Sequence, residues 1–260
     1  MKYLFVLIFF NMAISKTIII SDIDETIKQS NGMNYSNALW RIVYKKALAF
    51  KGLSSIFKKI HNQDNSQFYY LSASYKFLYD ADKWLVENDL GFHEQAFQRK
   101  LKSKKMEYKL SRVESILSQA YEEGDIVFLF GDNLAYDASV YRKIINTHSE
   151  KKIFAFIRDV KGEKLFIENK EDIKNSKVKY FLTVLDLINS PVLDLDLENK
   201  EEIKKLGKKD LLPDYISRYL ARKYVSRSCK KVISSLKCKK YYQAKIINYF
   251  DKYFKDQLIQ

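Results

Sequence analysis

Asp22 and Asp24 are the residues whose types and spacing best suit chemistry. They follow the apolar, β-branched run Ile18-Ile19-Ile20, which predicts a strand. Side chains alternate along a strand, so acids at positions i and i+2 project in the same direction where the strand ends. One carboxylate can attack a phosphoryl group beside a bound cation, and the other can transfer protons. An ordinary polar turn after a strand is the alternative interpretation of these residues alone.

Two later apolar runs predict further strands that also end in polar groups. Residues 68–71 precede Ser72, and residues 126–130 precede Gly131 and Asp132. The carboxyl ends of parallel strands gather at one edge of a sheet, where ligands bind. Lys109 opens a helical pattern between these strands and would bring an ammonium to the same edge. Taken singly, Ser72 is also explained as a turn hydroxyl or helix N-cap, and Lys109 as a solvated lysine at a helix end.

The order of these groups resembles the four motifs of the haloacid dehalogenase (HAD) superfamily of phosphotransferases. A narrower resemblance, to the actin-patch-associated phosphatidate phosphatase family, extends from about residue 16 to about residue 160. Five segments carry it: Ser21 to Lys28, Tyr70 to Ser74, Lys109 to Leu117, Gly131 to Tyr141 and Ile157 to Val160. Four positions depart from the family's usual Asp, Pro, Ser and His: Glu25, Tyr75, Asn133 and Tyr136.

The resemblance implies a role for each matching residue. Asp22 would be the nucleophile and Asp24 the general acid and base. Mg²⁺ would be held by Asp22, Asp132 and the main-chain carbonyl of Asp24, since this cation takes few protein oxygens together with water and phosphate. Three residues would bind the transferring phosphoryl group: Ser72, Lys109 and Thr26. Two would support these groups from behind: Asn133 and Asp137.

Asp137 has two interpretations from the sequence. It could orient Lys109 or a metal-bound water, or it could be an N-cap or first-turn acid of the helix that follows. Both are kept as expectations.

The predicted fold is α/β, a HAD-like (Rossmannoid) parallel sheet over residues 16–190 with a short helical insert and a C-terminal helical extension. Further strands are expected at residues 153–157 and near 180–185. Apolar spacing predicts helices in the insert, residues 34–65, which would be either a cap or a crossover helix pair. Only 7 Gly and 2 Pro among 260 residues make flexible linkers scarce.

The N-terminus resembles a short signal peptide. Lys2 precedes an apolar run, and Ala13-Ile14-Ser15 places small residues before a cleavage point. Residues 1–15 are therefore predicted to direct export and to be removed. The alternative is the hydrophobic first strand of a cytosolic protein.

Residues 191–260 form a predicted basic extension. From residue 200 onward there are 17 Lys and Arg against 6 Asp and Glu, which is most of the chain's net charge of +14. A helical stripe of Tyr242, Ile246, Phe250 and Phe254 lies among these lysines. The partner would be an anionic bilayer or single-stranded nucleic acid, unless the stripe packs on the catalytic domain. Cys229 and Cys238 pair only if the chain bends between them, because nine helical residues span ~13.5 Å.

Together these features predict an exported, Mg²⁺-dependent phosphatase acting on a phosphomonoester at an anionic surface. The family resemblance makes phosphatidate the leading substrate. A soluble or polynucleotide phosphomonoester is the first alternative. A non-catalytic protein that binds anionic surfaces is the second.

Overall fold

The structure is a computed structural model that describes residues 15–30, 48–62, 65–101, 103–134, 136–160, 177–181, 184–188, 190 and 192–193. The predicted signal peptide, the first half of the predicted insert and the basic extension with Cys229 and Cys238 lie outside the described residues. None of the described helices is long and apolar enough to cross a bilayer.

Strands and helices alternate along the described chain. The strands are β1 (Thr17–Asp22), β2 (Ser66–Tyr75), β3 (Gln95–Arg99), β4 (Ile126–Asp132), β5 (Lys152–Arg158) and β6 (Val178–Phe181). The helices are α1 (Lys51–Asn62), α2 (Ala81–Glu87), α3 (Lys105–Ala120), α4 (Asp137–Thr147) and α5 (Val184–Ile188). The six strands form one parallel sheet in the order β3-β2-β1-β4-β5-β6, which confirms the predicted α/β class.

Helices cover both faces of the sheet, so its central strands are apolar on both sides. Ile19 of β1 faces a core that includes residues of α1 and α2, whereas Ile18 and Ile20 face a core built with α3 and α4. This burial explains why the first strand appears in the sequence as an unbroken apolar run. Parallel pairing of β1 with β2 and with β4 places the carboxyl ends of these three strands side by side.

Helix α1 is the described half of the predicted insert. Four of its side chains are at most 4% exposed: Leu53, Ile56, Phe57 and Ile60. The Phe57 ring lies 4.9 Å from that of Phe130 in β4, centroid to centroid. This half of the insert is therefore a crossover helix packed on the sheet and not a cap above it.

The strand boundaries differ from the predictions in three places. Strand β2 continues through Ser72 to Tyr75, because β3 pairs with its far end. The strand expected near residues 180–185 ends at Phe181, and Val184 already begins α5. Strand β3 was not predicted, since a half-exposed edge strand with two glutamines carries a weak apolar signal.

Candidate active site

Asp22 ends β1 at the centre of the carboxyl edge. It is 2% exposed and lies beside Leu71 of β2, whose carbonyl accepts a hydrogen bond from the Ile23 amide at 3.0 Å. Asp132 ends β4, the other neighbour of β1. Two of the predicted acids therefore emerge from adjacent strands.

A tight turn follows β1 and folds the motif back over Asp22. The amides of Ile27 and Lys28 both donate to the Ile23 carbonyl, at 3.1 and 2.9 Å. Glu25 has a φ of 62°, a left-handed conformation that costs about 1 kcal/mol for a residue with a side chain. The turn places the Thr26 hydroxyl 3.4 Å from Asp22 Oδ2, where it donates a long hydrogen bond.

Lys109 reaches the same point from α3. The helix begins at Lys105, so Lys109 lies in its second turn and not at its start as predicted. The side chain is buried, and its Nζ donates to Asp22 Oδ1 at 2.6 Å and to Asp137 Oδ1. The solvated-lysine alternative is therefore wrong.

Asp137 combines its two predicted interpretations. It is the first residue of α4, and it is fully buried against Lys109. Its second oxygen accepts a hydrogen bond from the Asp132 amide at 3.2 Å. One carboxylate thus joins the ammonium from α3 to the end of β4.

The carboxyl edge concentrates negative charge where water does not reach. Burial raises the pKa of Asp22 well above its ordinary value, although the Lys109 ammonium pulls it down, and the neighbouring acids add to the rise. Burial, with repulsion from Asp137, raises the pKa of Asp132 to about 8. Burial lowers the pKa of Lys109, but Asp137 and Asp22 more than offset this and hold it well above its ordinary range. One ammonium therefore does not neutralise three buried carboxyls.

A divalent cation fits this donor set. Asp22, Asp132 and Asp137 each offer a carboxylate oxygen, and these oxygens lie within 4.8 Å of one another. Hard oxygen ligands suit Mg²⁺, and a cation would relieve the repulsion that raises the acids' pKa values. Asp137 joins this set in addition to the predicted Asp22 and Asp132, whereas the Asp24 carboxylate lies outside it.

The Asp24 carboxylate is held by a ring of hydroxyl groups. Its Oδ2 accepts hydrogen bonds from Ser72 at 2.8 Å and Ser74 at 3.0 Å, and its Oδ1 accepts one from Ser30 at 2.7 Å. The Tyr79 hydroxyl lies 3.2 Å from Asp24 Oδ2 and 2.9 Å from Ser72 Oγ. Ser72, predicted to bind phosphate, therefore contacts the second aspartate in this state.

Lys28 completes the surroundings of Asp24. Its Nζ lies 3.5 Å from Asp24 Oδ1 and 3.2 Å from the centre of the Tyr79 ring. Burial raises the pKa of Asp24, but Lys28 and the serine hydroxyls outweigh it, so the net pKa is below its ordinary value. Burial lowers the pKa of Lys28 itself. Asp24 is thus an anion at neutral pH.

The sequence assigned no role to Lys28, Ser30, Ser74 or Tyr79. Lys28 and Ser74 belong to the motif segments that carry the family resemblance, and this membership is the sequence feature that could have identified them as site residues. Ser30 and Tyr79 lie in connections after β1 and β2, where the sequence has no pattern that would select them.

Asn133 contacts the end of β5. Its Nδ2 donates to Asp159 Oδ1 at 2.5 Å, and its amide donates to the Arg158 carbonyl at 3.2 Å. The side chain ties the loop after β4 to the end of β5, behind Asp132.

A parallel sheet with carboxylates and a buried ammonium at its carboxyl edge is suited to an α/β enzyme that acts on phosphate groups. The family described as "Phosphatidate phosphatase APP1, catalytic domain" matches residues 17–159. The match spans more than half of the chain, and the chain belongs to this family, which makes it a phosphatase.

A comparison with curated proteins gives no significant match. One similar solved structure is described as "Structure of Pnkp1/Rnl/Hen1 complex". It is 15% identical with a TM-score of 0.39, and the match covers 56% of this chain and 47% of the other.

Proposed function

We propose that the protein hydrolyses a phosphomonoester in a Mg²⁺-dependent reaction through a phosphoaspartyl intermediate, with phosphatidate as the substrate. One observation carries the proposal: the Asp22 carboxylate lies between Lys109 and Thr26, within 4.8 Å of two further carboxylates. Phosphoryl transfer needs a positioned nucleophile and neutralisation of the charge on the phosphate oxygens. This edge of the sheet supplies both.

Asp22 is the nucleophile in this scheme. One of its oxygens attacks phosphorus, the bond from phosphorus to the substrate's alcohol oxygen breaks, and the leaving oxygen takes a proton from Asp24. A water molecule then attacks the phosphorus, losing its proton to Asp24, and the acyl phosphate bond breaks. Asp22 is restored and inorganic phosphate leaves.

Asp24 must carry a proton for the first step. As an anion held by Lys28 and the serines, it is ready to act as the base in the second step. An arriving phosphate is a nearby like charge, and it raises the pKa of a carboxyl group. We infer that substrate binding itself promotes protonation of Asp24, while the Ser72 hydroxyl turns from Asp24 to the phosphate.

Mg²⁺ would be held by the carboxylates of Asp22 and Asp132, with Asp137 as the third acid of the cluster, and it would neutralise charge on the phosphate. Lys109 supplies a second positive charge to the same oxygens. Asp137 holds this ammonium in place and keeps it protonated.

The test is phosphate release by purified protein from phosphatidate, nucleotides, sugar phosphates and a 3′-phosphorylated oligonucleotide, with Mg²⁺ or with a chelator. We expect phosphatidate to be the best substrate and chelation to abolish activity. Greatest activity on the oligonucleotide would instead favour a polynucleotide phosphatase.

Two substitutions separate the roles of the aspartates. Asp22→Asn should abolish turnover, because an amide is a poor nucleophile. Asp24→Asn should lower kcat by roughly 10²–10⁴-fold through lost proton transfer. Asp89→Asn is the matched control, since this acid is on the surface and pairs with Lys58 at 3.1 Å. Activity of Asp22→Asn close to that of the control would reject the nucleophile assignment.

A further inference from the structure

A groove of about 390 Å³ lies beside the site, at the ends of β2 and β3. Phe77 and Leu101 both line it and are 71% and 67% exposed. The Phe77 ring stacks on Tyr75 with centroids 5.4 Å apart and planes 12° from parallel. Two large apolar side chains therefore line the same groove and are both exposed to solvent.

The groove is also basic. Lys76 and Lys100 line it and are exposed. Arg99 lies beneath them, where its guanidinium donates to the carbonyls of Ala73 and Ser103 at 2.8 and 2.7 Å. Asp82 is the acid among the lining residues. Positive charge thus surrounds the exposed Phe77 and Leu101.

The groove is connected directly to the catalytic residues. Tyr75 follows Ser74, whose hydroxyl binds Asp24. Gln98 lines the groove and donates to the Tyr79 carbonyl at 2.9 Å, and the Tyr79 hydroxyl contacts Asp24. A partner bound in the groove would therefore contact the end of β2 and the residues that follow it, which form one wall of the active site.

The exposed apolar side chains are concentrated on this side of the molecule. Six large ones stand out among the described residues. Four of them lie in loops or first helical turns at the carboxyl edge: Phe77, Leu101, Met106 and Tyr136. Phe77 and Leu101 share one groove with basic residues around it, and an exposed apolar patch with a polar rim marks an interaction site.

We propose that this groove docks the active-site edge on an anionic phospholipid bilayer. Phe77 and Leu101 enter the boundary between headgroups and acyl chains, and Lys76 and Lys100 contact lipid phosphates. The inference rests on the proposed function, because a phosphatidate phosphatase must bring its site to the headgroup of a lipid that stays in the membrane.

The chemistry of the groove favours lipid over single-stranded nucleic acid. Nucleic-acid bases need free aromatic faces for stacking. Tyr75 is already stacked on Phe77 and lies 4.2 Å from the Arg99 guanidinium, which leaves the single ring of Phe77 to meet successive bases. Leu101 offers no stacking face, whereas it is well suited to acyl chains.

The test is co-sedimentation of the full-length chain with vesicles of phosphatidylglycerol and phosphatidylcholine that contain no phosphatidate. Phe77→Ser with Leu101→Ser should weaken binding about tenfold through lost apolar burial. Lys76→Gln with Lys100→Gln should weaken it less at high salt than at low salt, because salt screens the lipid charge. Val86→Ser is the matched control, since Val86 is 64% exposed on α2 and lies outside the groove lining.

Equal vesicle binding by the wild type, both double variants and the control would overturn the docking proposal. Tighter binding to a single-stranded oligonucleotide than to vesicles at matched salt, lost in the double variants, would also overturn it. Because these vesicles contain no phosphatidate, the co-sedimentation result does not depend on whether phosphatidate is the substrate. If the double variants bind vesicles more weakly and the wild type does not hydrolyse phosphatidate, the docking proposal is supported and the proposed substrate is rejected.

Discussion

At the residue scale, the burial of three neighbouring carboxyl groups makes the stability of the fold depend on pH. The pKa of Asp132 is about 8 in the folded protein, against 3.8 ordinarily. A carboxyl group whose pKa is raised by folding makes its most favourable contribution to the free energy of unfolding at low pH. There the group is protonated in both the folded and the unfolded state. This stabilisation is lost as pH rises from about 4 to about 8, because only the folded state still binds the proton.

We therefore predict that the free energy of unfolding of the metal-free protein falls over this pH range. Asp132→Asn should flatten the fall and melt above wild type at about pH 8 in chelator, while losing phosphatase activity. Mg²⁺ should raise the melting temperature of wild type more at about pH 8 than at about pH 5, since fewer protons compete for the carboxylates.

Thermal melts at both pH values, with chelator and with Mg²⁺, measure these effects. Asp89→Asn serves again as the surface control. An equal Mg²⁺ shift in Asp132→Asn and wild type would contradict the assignment of Asp132 to the cation site.

At the element scale, the site depends on how closely α4 approaches β4. Gly131 makes this approach possible: a Cβ at this position would lie 2.6 Å from Asp137 Cβ and 2.8 Å from a ring carbon of Tyr141. Tyr141 anchors the helix by donating to the Phe130 carbonyl at 2.9 Å. The glycine thus lets the first turn of α4 bring Asp137 to Lys109.

Gly131→Ala should push α4 away from the strand. We expect a loss of stability of about 1–3 kcal/mol from overpacking and a large loss of activity, because Asp137 no longer holds Lys109. Gly91→Ala is the control, since its Cβ would meet mainly the methyl end of Val86 at 3.0 Å. Wild-type melting and turnover in Gly131→Ala would show that the contact is easily relieved.

At the scale of the whole molecule, the start of the described chain bears on processing. The Lys16 amide donates to Asp125 Oδ1 at 2.9 Å, and Asp125 is buried. We propose export with cleavage after Ser15. Cleavage would turn this amide into an ammonium directly beside a buried carboxylate.

Asp125→Asn should then destabilise the chain that begins at Lys16 more than the chain that keeps residues 1–15, because the ammonium adds a full positive charge that the neutral amide lacks to the hydrogen bond with Asp125. Glu122→Gln is the control, as Glu122 is 78% exposed and also pairs with Lys16. Melting temperatures of both forms test the difference, and mass spectrometry of the native protein tests the cleavage point. Equal destabilisation of the two forms would contradict the predicted pairing.

The sequence by itself determined the class of fold and several of the side chains that meet at the carboxyl edge of the sheet. Strands β1 and β4 were predictable because strands buried on both faces are continuous apolar runs, and the acids follow at the point where each run ends. Motif order then identified Asp22, Lys109 and Asp132 as members of one site, since parallel strands end at one edge.

The tertiary structure alone decided which groups surround each aspartate. Asp24 meets Ser72, Ser74 and Tyr79 across 48 to 55 positions of the chain, and these contacts follow from the path of β2 after the sheet has formed. Lys109 meets Asp137 only because α3 and α4 pack on the same face. Edge strand β3 and its groove were also absent from the sequence prediction. The local sequence pattern indicates which residues are buried and which element they form. The contacts of Asp24 and Lys109 depend instead on the distances between elements that are remote in sequence.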